Sequence, residues 1–317
     1  MGRYLRRRLI QLVPLLFGIS VVIFGVIQAA PGGPEGSLLA AGRFVDPSVI
    51  ESYRHRLGVD QPVWRQYLNW LSSSVRGDLG QSFSTSRPVA AMIGERLPAT
   101  LELMGAAFLF AAMVALPFGL YSALRTGTAL DTLGTGFSFL GVAMPVFWFG
   151  LLLQLVFSVR LGWLPVSGTA TIGASSARDH LLHLILPGLV LSTRYIAGWS
   201  RYFRSSLLGA SGAGFVRTAR AKGLSEARVV GVHTVRNALV PVISVMALNV
   251  ADLFSGAVIT ETVFAWPGIG RLFVQGMFAR DYPLLMGILL MGAITVILFN
   301  LVADLLYGGL DPRIRYE

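Results

Sequence analysis

The chain has 317 residues, of which 54% are hydrophobic and only 13% charged, with a formal net charge of +10. A soluble domain carries roughly 25% charge, so this composition, with a mean hydropathy of +0.66, excludes an ordinary soluble globule and indicates an integral membrane protein. No cysteine and four scattered histidines exclude disulfides and thiolate metal sites and leave no convincing metal cluster.

Six apolar stretches of about 20 residues are long enough to cross a bilayer: Leu9–Ala30, Leu101–Leu124, Thr135–Val159, Leu182–Phe203, Leu239–Val263 and Leu284–Tyr307. The start, Arg6-Arg7-Arg8 before an apolar run ending Gln28-Ala29-Ala30, has the layout of a signal peptide. The run is longer than a usual signal core and Pro31 opposes cleavage, so an uncleaved first span is expected. After it, Asp46-Pro47 opens a helix carrying Val49, Ile50, Tyr53 and Leu57 and ending at Gly58. A second helix follows Pro62, with Val63, Tyr67, Leu68, Leu71 and Val75 as its stripe and Gly77 as its stop. The stretch Gly77-Asp78-Leu79-Gly80-Gln81-Ser82-Phe83 is turn-rich, and Pro88 to Arg96 reads as another short helix. Together these form a small helical cap.

The charges orient the spans. Fourteen of the 26 basic residues lie in four places: Arg3, Arg6, Arg7 and Arg8; Arg125; Arg201, Arg204, Arg217, Arg220, Lys222, Arg228 and Arg236; Arg313 and Arg315. The positive-inside rule puts both termini and the loops after the second and fourth spans in the cytoplasm. The cap, with seven arginines against six acids between Pro31 and Pro98, would then lie outside. The arginines flank spans and lack aromatic interleaving, which argues against nucleic-acid binding.

Ionisable groups inside spans are costly and are functional candidates by default. Arg194 sits midway along the fourth span and Asp252 midway along the fifth. Two readings are open: they pair with each other, or they line an aqueous path and meet the termini of a zwitterionic solute. Glu102 and Asp304 lie near span ends and can reach water, and Glu261 lies beside Thr260 and Thr262 near the predicted outer end of the fifth span. His180 and His183 are spaced i, i+3 without a third ligand. Trp266-Pro267-Gly268 is a turn followed by Leu272, Phe273, Gly276 and Met277 at helical spacing, which suggests a short outer helix acting as a gate or docking element. No nucleophile, carboxylate-pair or zinc motif is present, so chemistry by this chain alone is not expected.

The most informative segment is Phe215–Pro241, a basic amphipathic loop between two spans. Phe215 to Lys222 suits a helix, and Gly223 stands where it would end in a left-handed turn. Ser225 is then placed to cap a second helix carrying Val229, Val230, Val232 and Val235. Such a shape is suited to docking on a cytoplasmic partner. Lys222 is the only lysine of the chain and is followed by Gly223, so it cannot serve a Gly-Lys-Ser/Thr phosphate loop. If ATP drives this protein, another polypeptide must bind it.

These residues also carry a family pattern. The chain resembles the first permease of the dipeptide, oligopeptide and nickel branch of binding-protein-dependent ABC importers, nearly end to end. The matching pieces include Tyr4-Leu5-Arg6-Arg7-Arg8, Leu57-Gly58-Val59-Asp60-Gln61-Pro62, Gly77-Asp78-Leu79-Gly80-Gln81-Ser82 and Arg96-Leu97-Pro98-Ala99-Thr100-Leu101-Glu102-Leu103. Further on come Arg217-Thr218-Ala219-Arg220-Ala221-Lys222-Gly223-Leu224, His233, Arg236-Asn237-Ala238, the run from Glu261 to Gly270, and Leu310-Asp311-Pro312-Arg313.

The resemblance implies an all-α, six-span type I importer permease in a prokaryotic inner membrane, with residues 1–30 as N-terminus and first span. Residues 31–98 would form an extracytoplasmic segment, and residues 99–317 a five-helix core bearing a coupling loop over 204–238. It implies that Arg217, Thr218, Ala219, Arg220, Lys222, Gly223 and Leu224 couple to an ATPase. The family motif Glu-Ala-Ala-x-x-x-Gly is matched by Arg217-Thr218-Ala219 before Gly223, with the Glu and first Ala replaced, as is common in peptide-type members. The implied partners are a second permease, two cytoplasmic ATPases that hold ATP and Mg, and an extracytoplasmic solute-binding protein that would dock near Trp266, Pro267 and Gly268. No cofactor is expected on this chain. Short peptides are the first expected solute. The alternative, an ion-gradient-driven secondary transporter, would call for acidic or interrupted spans in repeated halves; the sequence has no visible repeat and one mid-span carboxylate, Asp252.

Overall fold

The long apolar runs fold as helices because Leu, Ala and Met lose little rotamer freedom there and because hydrocarbon offers the backbone no other hydrogen-bond partner. A computed structural model describes residues 2–30, 60–173 and 176–310. Helix α1 covers Gly2–Ala29, α2 Val63–Val75, α3 Val89–Leu124, α4 Ala129–Ala143 and α5 Val146–Leu153; α6 covers Ala177–Ser211, α7 Gly214–Ala221, α8 Val235–Val263, α9 Ile269–Phe278 and α10 Tyr282–Leu310. The expected helix from Asp46 to Gly58 lies outside the described residues.

Five of the described helical segments are long and apolar enough to span a membrane: α1, α3, α6, Glu226–Leu253 leading through α8, and α10. The expected third span, Thr135–Val159, is not one rod. It breaks at Met144-Pro145 into α4 and α5, and α5 continues as a π-helical turn over Gln154–Arg160. Pro145 lacks an N–H and steers Met144 out of the helical region. The short helix expected over Pro88–Arg96 also differs: it is the first part of α3, which runs on through Pro98. A proline deletes one backbone bond but keeps a helical φ, and the helix formers around it carry the run forward.

The chain divides into two compact units. The first comprises Met1–Thr100 and Pro267–Ile297. In it α2 lies along α1: the Tyr67 hydroxyl shares a 2.8 Å hydrogen bond with Ser20, and its ring meets Phe24 edge-on at 5.4 Å. The turn-rich Gly77–Phe83 stretch also has a definite anchor. Asp281, fully buried at the start of α10, accepts from the Ser82 hydroxyl (2.5 Å), the Ser84 hydroxyl (2.8 Å) and the backbone N–H groups of Phe83 and Ser84 (both 3.1 Å). A buried carboxylate needs donors of this number around it to offset the water it has lost.

The second unit comprises Leu101–Trp266 and Leu298–Glu317. Here α6 packs against α8 and α4 around Trp199, Phe203, Leu207 and Leu253, all nearly inaccessible. Gly119 lets α3 approach α6 closely: a Cβ there would sit 2.7 Å from the Ser200 carbonyl oxygen. Gln154, in the π-helical turn, uses its amide to donate to the carbonyls of Val166 (2.9 Å) and Val263 (3.2 Å).

Candidate functional site

The basic loop folds into a small knob with its own core. α7 ends at Ala221 with Lys222 as its C-cap, and Gly223 follows at φ +75. The Leu224 N–H donates back to the Ala219 carbonyl (3.4 Å) and the Gly223 N–H to that of Arg220 (2.9 Å). This is the Schellman pattern, and its usual hydrophobic contact is present: Leu224 packs on Val216, Ala219 and Val229, the last three buried. Ser225 takes the expected N-cap backbone position, but its hydroxyl makes no capping bond. Glu226–Arg228 forms one helical turn and passes through a π-helical stretch, Val229–Thr234, into α8. Arg220 then ties the two arms together with a bidentate pair to Glu226, at 3.1 and 2.6 Å.

The predicted coupling residues therefore divide by task. Ala219 and Leu224 hold the knob closed from within, and Gly223 makes its corner. Arg217, Thr218, Arg220 and Lys222 face solvent together with Phe215, which is 43% exposed. The exposed face thus joins an aromatic ring to four basic or hydroxyl side chains.

The knob is braced where it meets the helices. In α4, just after the Arg125 loop, buried Asp131 accepts both arms of Arg204 near the end of α6, at 3.0 and 2.9 Å. It also accepts from the Ser122 hydroxyl and, at 3.0 Å, from the Gly127 N–H. Ser206 of α6 donates to the Ala238 carbonyl of α8 at 2.8 Å. These bonds tie α4, α6 and α8 to one another beside the knob. Sequence reasoning missed Asp131, because its partners stand 9 and 73 residues away. It also missed Asp281, for which a readable signal exists: an Asp directly before Tyr282-Pro283 at the head of an apolar run is an N-cap pattern.

Arg194 and Asp252 both lie exposed on this chain, on α6 and α8. Among the described residues no ion pair joins them. Asp252 instead accepts from Asn249 Nδ2 at 3.3 Å, and Asn249 Oδ1 accepts from the Trp199 indole at 2.9 Å.

Of the predicted outer turn, Trp266 is fully buried, with its ring 5.6 Å from that of His180. His180 is held by the Thr169 carbonyl at 2.9 Å and by Glu102 at 2.5 Å. Pro267 is partly exposed, and Gly268 is buried at the N-cap of α9. Trp266 therefore presents no surface in this conformation.

Residues 115–316 match the family described as binding-protein-dependent transport system inner membrane component, and residues 1–104 match the N-terminal region of such membrane components. Over the full length of both chains, the protein is 42% identical to the oligopeptide transport system permease protein AppB of Bacillus subtilis (strain 168). It is 38% identical to the dipeptide transport system permease protein DppB of Escherichia coli (strain K12), again over 100% of both. Among solved structures, a chain of the MetNI methionine ABC transporter in an inward-facing conformation aligns with a TM-score of 0.56 at 15% identity, covering 69% of this chain and 96% of that one.

Proposed function

Because this chain belongs to the family of binding-protein-dependent transport system inner membrane components, we propose that it forms half of the translocation path of an ATP-driven importer of short peptides. It is a multi-pass transport subunit of the bacterial inner membrane, with the type I ABC importer permease fold. The solute follows from the oligopeptide and dipeptide systems to which its full-length relatives belong. The partners in this reading are a second, different permease, two cytoplasmic ATPases carrying ATP and Mg, and an extracytoplasmic binding protein that delivers the peptide. ATP is hydrolysed in the partners, since the sole lysine, Lys222, stands before Gly223 in a docking knob and not in a phosphate loop.

The observation that carries this reading is the knob itself. It has a core of its own, it exposes Phe215, Arg217, Thr218 and Lys222, and it lies between α6 and α8, which Ser206–Ala238 joins to each other and Arg204–Asp131 joins to α4. A partner that binds this knob differently in its open and closed states shifts the equilibrium of the spans by that difference and by nothing else. ATP-driven closure would open the path toward the loaded binding protein, and hydrolysis would return it.

The test is purification of a tagged chain, which should bring an ATPase with it, followed by Gly223→Val in the assembled complex. Open space surrounds Gly223, so the valine acts only through the backbone. A branched side chain at φ +75 costs about 1–2 kcal/mol or more and unseats the corner. The variant should reach the membrane yet lose stimulation of ATPase activity by peptide-loaded binding protein. Undiminished stimulation would remove the docking role. An ion-gradient transporter would instead take up peptide without ATP and without a co-purifying ATPase.

A further inference from the structure

The outward faces of α6 and α8 carry opposite charges, and a bilayer does not tolerate them bare. Arg194 and Asp252 are exposed on this chain, within helices long and apolar enough to span a membrane. Ionised groups at such depth face a protein partner or water, not lipid. The surface that bears them is therefore turned away from lipid. Arg194 precedes Tyr195, whose ring lies 5.5 Å from that of Trp199, and Trp199 donates to Asn249, one helical turn before Asp252, so the two charges border one locality even though, among the described residues, no ion pair joins them.

Asp252 is held, and the holding group is itself fixed. Trp199 is 1% exposed and wedged between Phe108 (5.2 Å) and Tyr195 (5.5 Å). An indole N–H only donates, so the Asn249 oxygen must face it. The Asn249 amide NH2 is thereby turned to Asp252 Oδ2. Among the described residues no donor meets Oδ1. The result is an exposed carboxylate with one oxygen steered by the protein.

We propose that the Trp199–Asn249 relay positions Asp252 to receive the ammonium group of a peptide N-terminus in transit, with Arg194 as the complementary cation for the peptide carboxylate. This rests on the importer reading and adds to it a place where the zwitterion is read inside the membrane, after delivery by the binding protein. Asn249 and Trp199 are positioning residues; Asp252 and Arg194 touch the solute.

The experiment uses the complex of this chain with its permease, ATPase and binding-protein partners in lipid vesicles, with trialanine as probe. Loss of one charge-assisted hydrogen bond corresponds to about tenfold, so Asp252→Asn should reduce trialanine uptake by about that factor. Assembly should be unaffected, read as co-purification of the permease and ATPase partners with the substituted chain in the same ratio as with the unsubstituted one. Asp252→Glu should restore most uptake, and Asn249→Leu, which keeps the charge but frees it, should fall between the two. The cysteine-free sequence permits a direct test of sign. In Asp252→Cys, a thiosulfonate reagent that attaches a sulfonate should recover uptake, while one that attaches a trimethylammonium should not. Equal recovery by both reagents, failure of both to react, or undiminished uptake in Asp252→Asn overturns the proposal. If the unsubstituted complex shows no stimulated ATPase activity, the importer reading fails instead, and the two failures are separable.

Discussion

Asp131 shows how much a single carboxylate can brace. The Ser122 hydroxyl, then Arg204, then the Gly127 N–H pull its pKa from 3.8 down to about 2. A folded-state value below the unfolded one means that its stabilisation is fully present above the unfolded pKa and is lost as pH falls through the folded one. Asp131→Asn should therefore lower the melting temperature of the purified protein at neutral pH. The gap to the unsubstituted protein should hold steady down to about pH 4 and close toward about pH 2. A gap that closes between about pH 8 and about pH 5 would assign the effect to another group. In the membrane complex the same variant should loosen coupling, read as ATPase activity without matching uptake. None of this was legible beforehand, since nothing in the spacing of Ser122, Asp131 and Arg204 marks them as neighbours.

Helix ends and crossings decide what a sequence reader can see of the elements. The same Schellman closure ends α2, α7, α8 and α9, with Gly77, Gly223, Ala265 and Arg280 in the left-handed position. The two glycines were readable as stops because glycine takes that conformation at no steric cost. Ala265 and Arg280 were not, because there tertiary packing imposes a turn that local preference opposes; at the first, the following residue is the buried Trp266. The broken third span was missed for a related reason: its hydropathy is continuous across Met144-Pro145, and only the backbone chemistry of proline divides it. Crossings are equally hidden. Gly119→Ala should cost about 1–3 kcal/mol, because its methyl would meet the Ser200 carbonyl at 2.7 Å and Phe203 at 3.2 Å. Gly105→Ala, on the same helix with nothing within 4 Å, should be neutral or slightly stabilising. Thermal unfolding in detergent distinguishes them, and equal melting temperatures would mean that α3 and α6 do not approach as closely as drawn.

At the scale of the whole molecule, the class of protein and the place of the knob were legible because hydrophobicity and charge act additively along the chain. The braces, the Trp199–Asn249 relay and the burial of Trp266 were not, because each depends on which helices touch. Orientation is the remaining whole-molecule quantity, and the coupling reading depends on it: the knob can meet an ATPase only if it faces the cytoplasm, where its basic residues place it by the positive-inside rule. The absence of cysteine makes this directly measurable. Lys222 on the knob and Arg76 at the end of α2 are both exposed, so either accepts a cysteine without disturbing a core. In intact spheroplasts a membrane-impermeant maleimide should label Arg76→Cys at once and leave Lys222→Cys untouched until the membrane is permeabilised. Labelling of Lys222→Cys in intact cells would invert the chain, put the knob beyond the reach of ATP, and leave Arg217, Thr218 and Phe215 with no motor to meet.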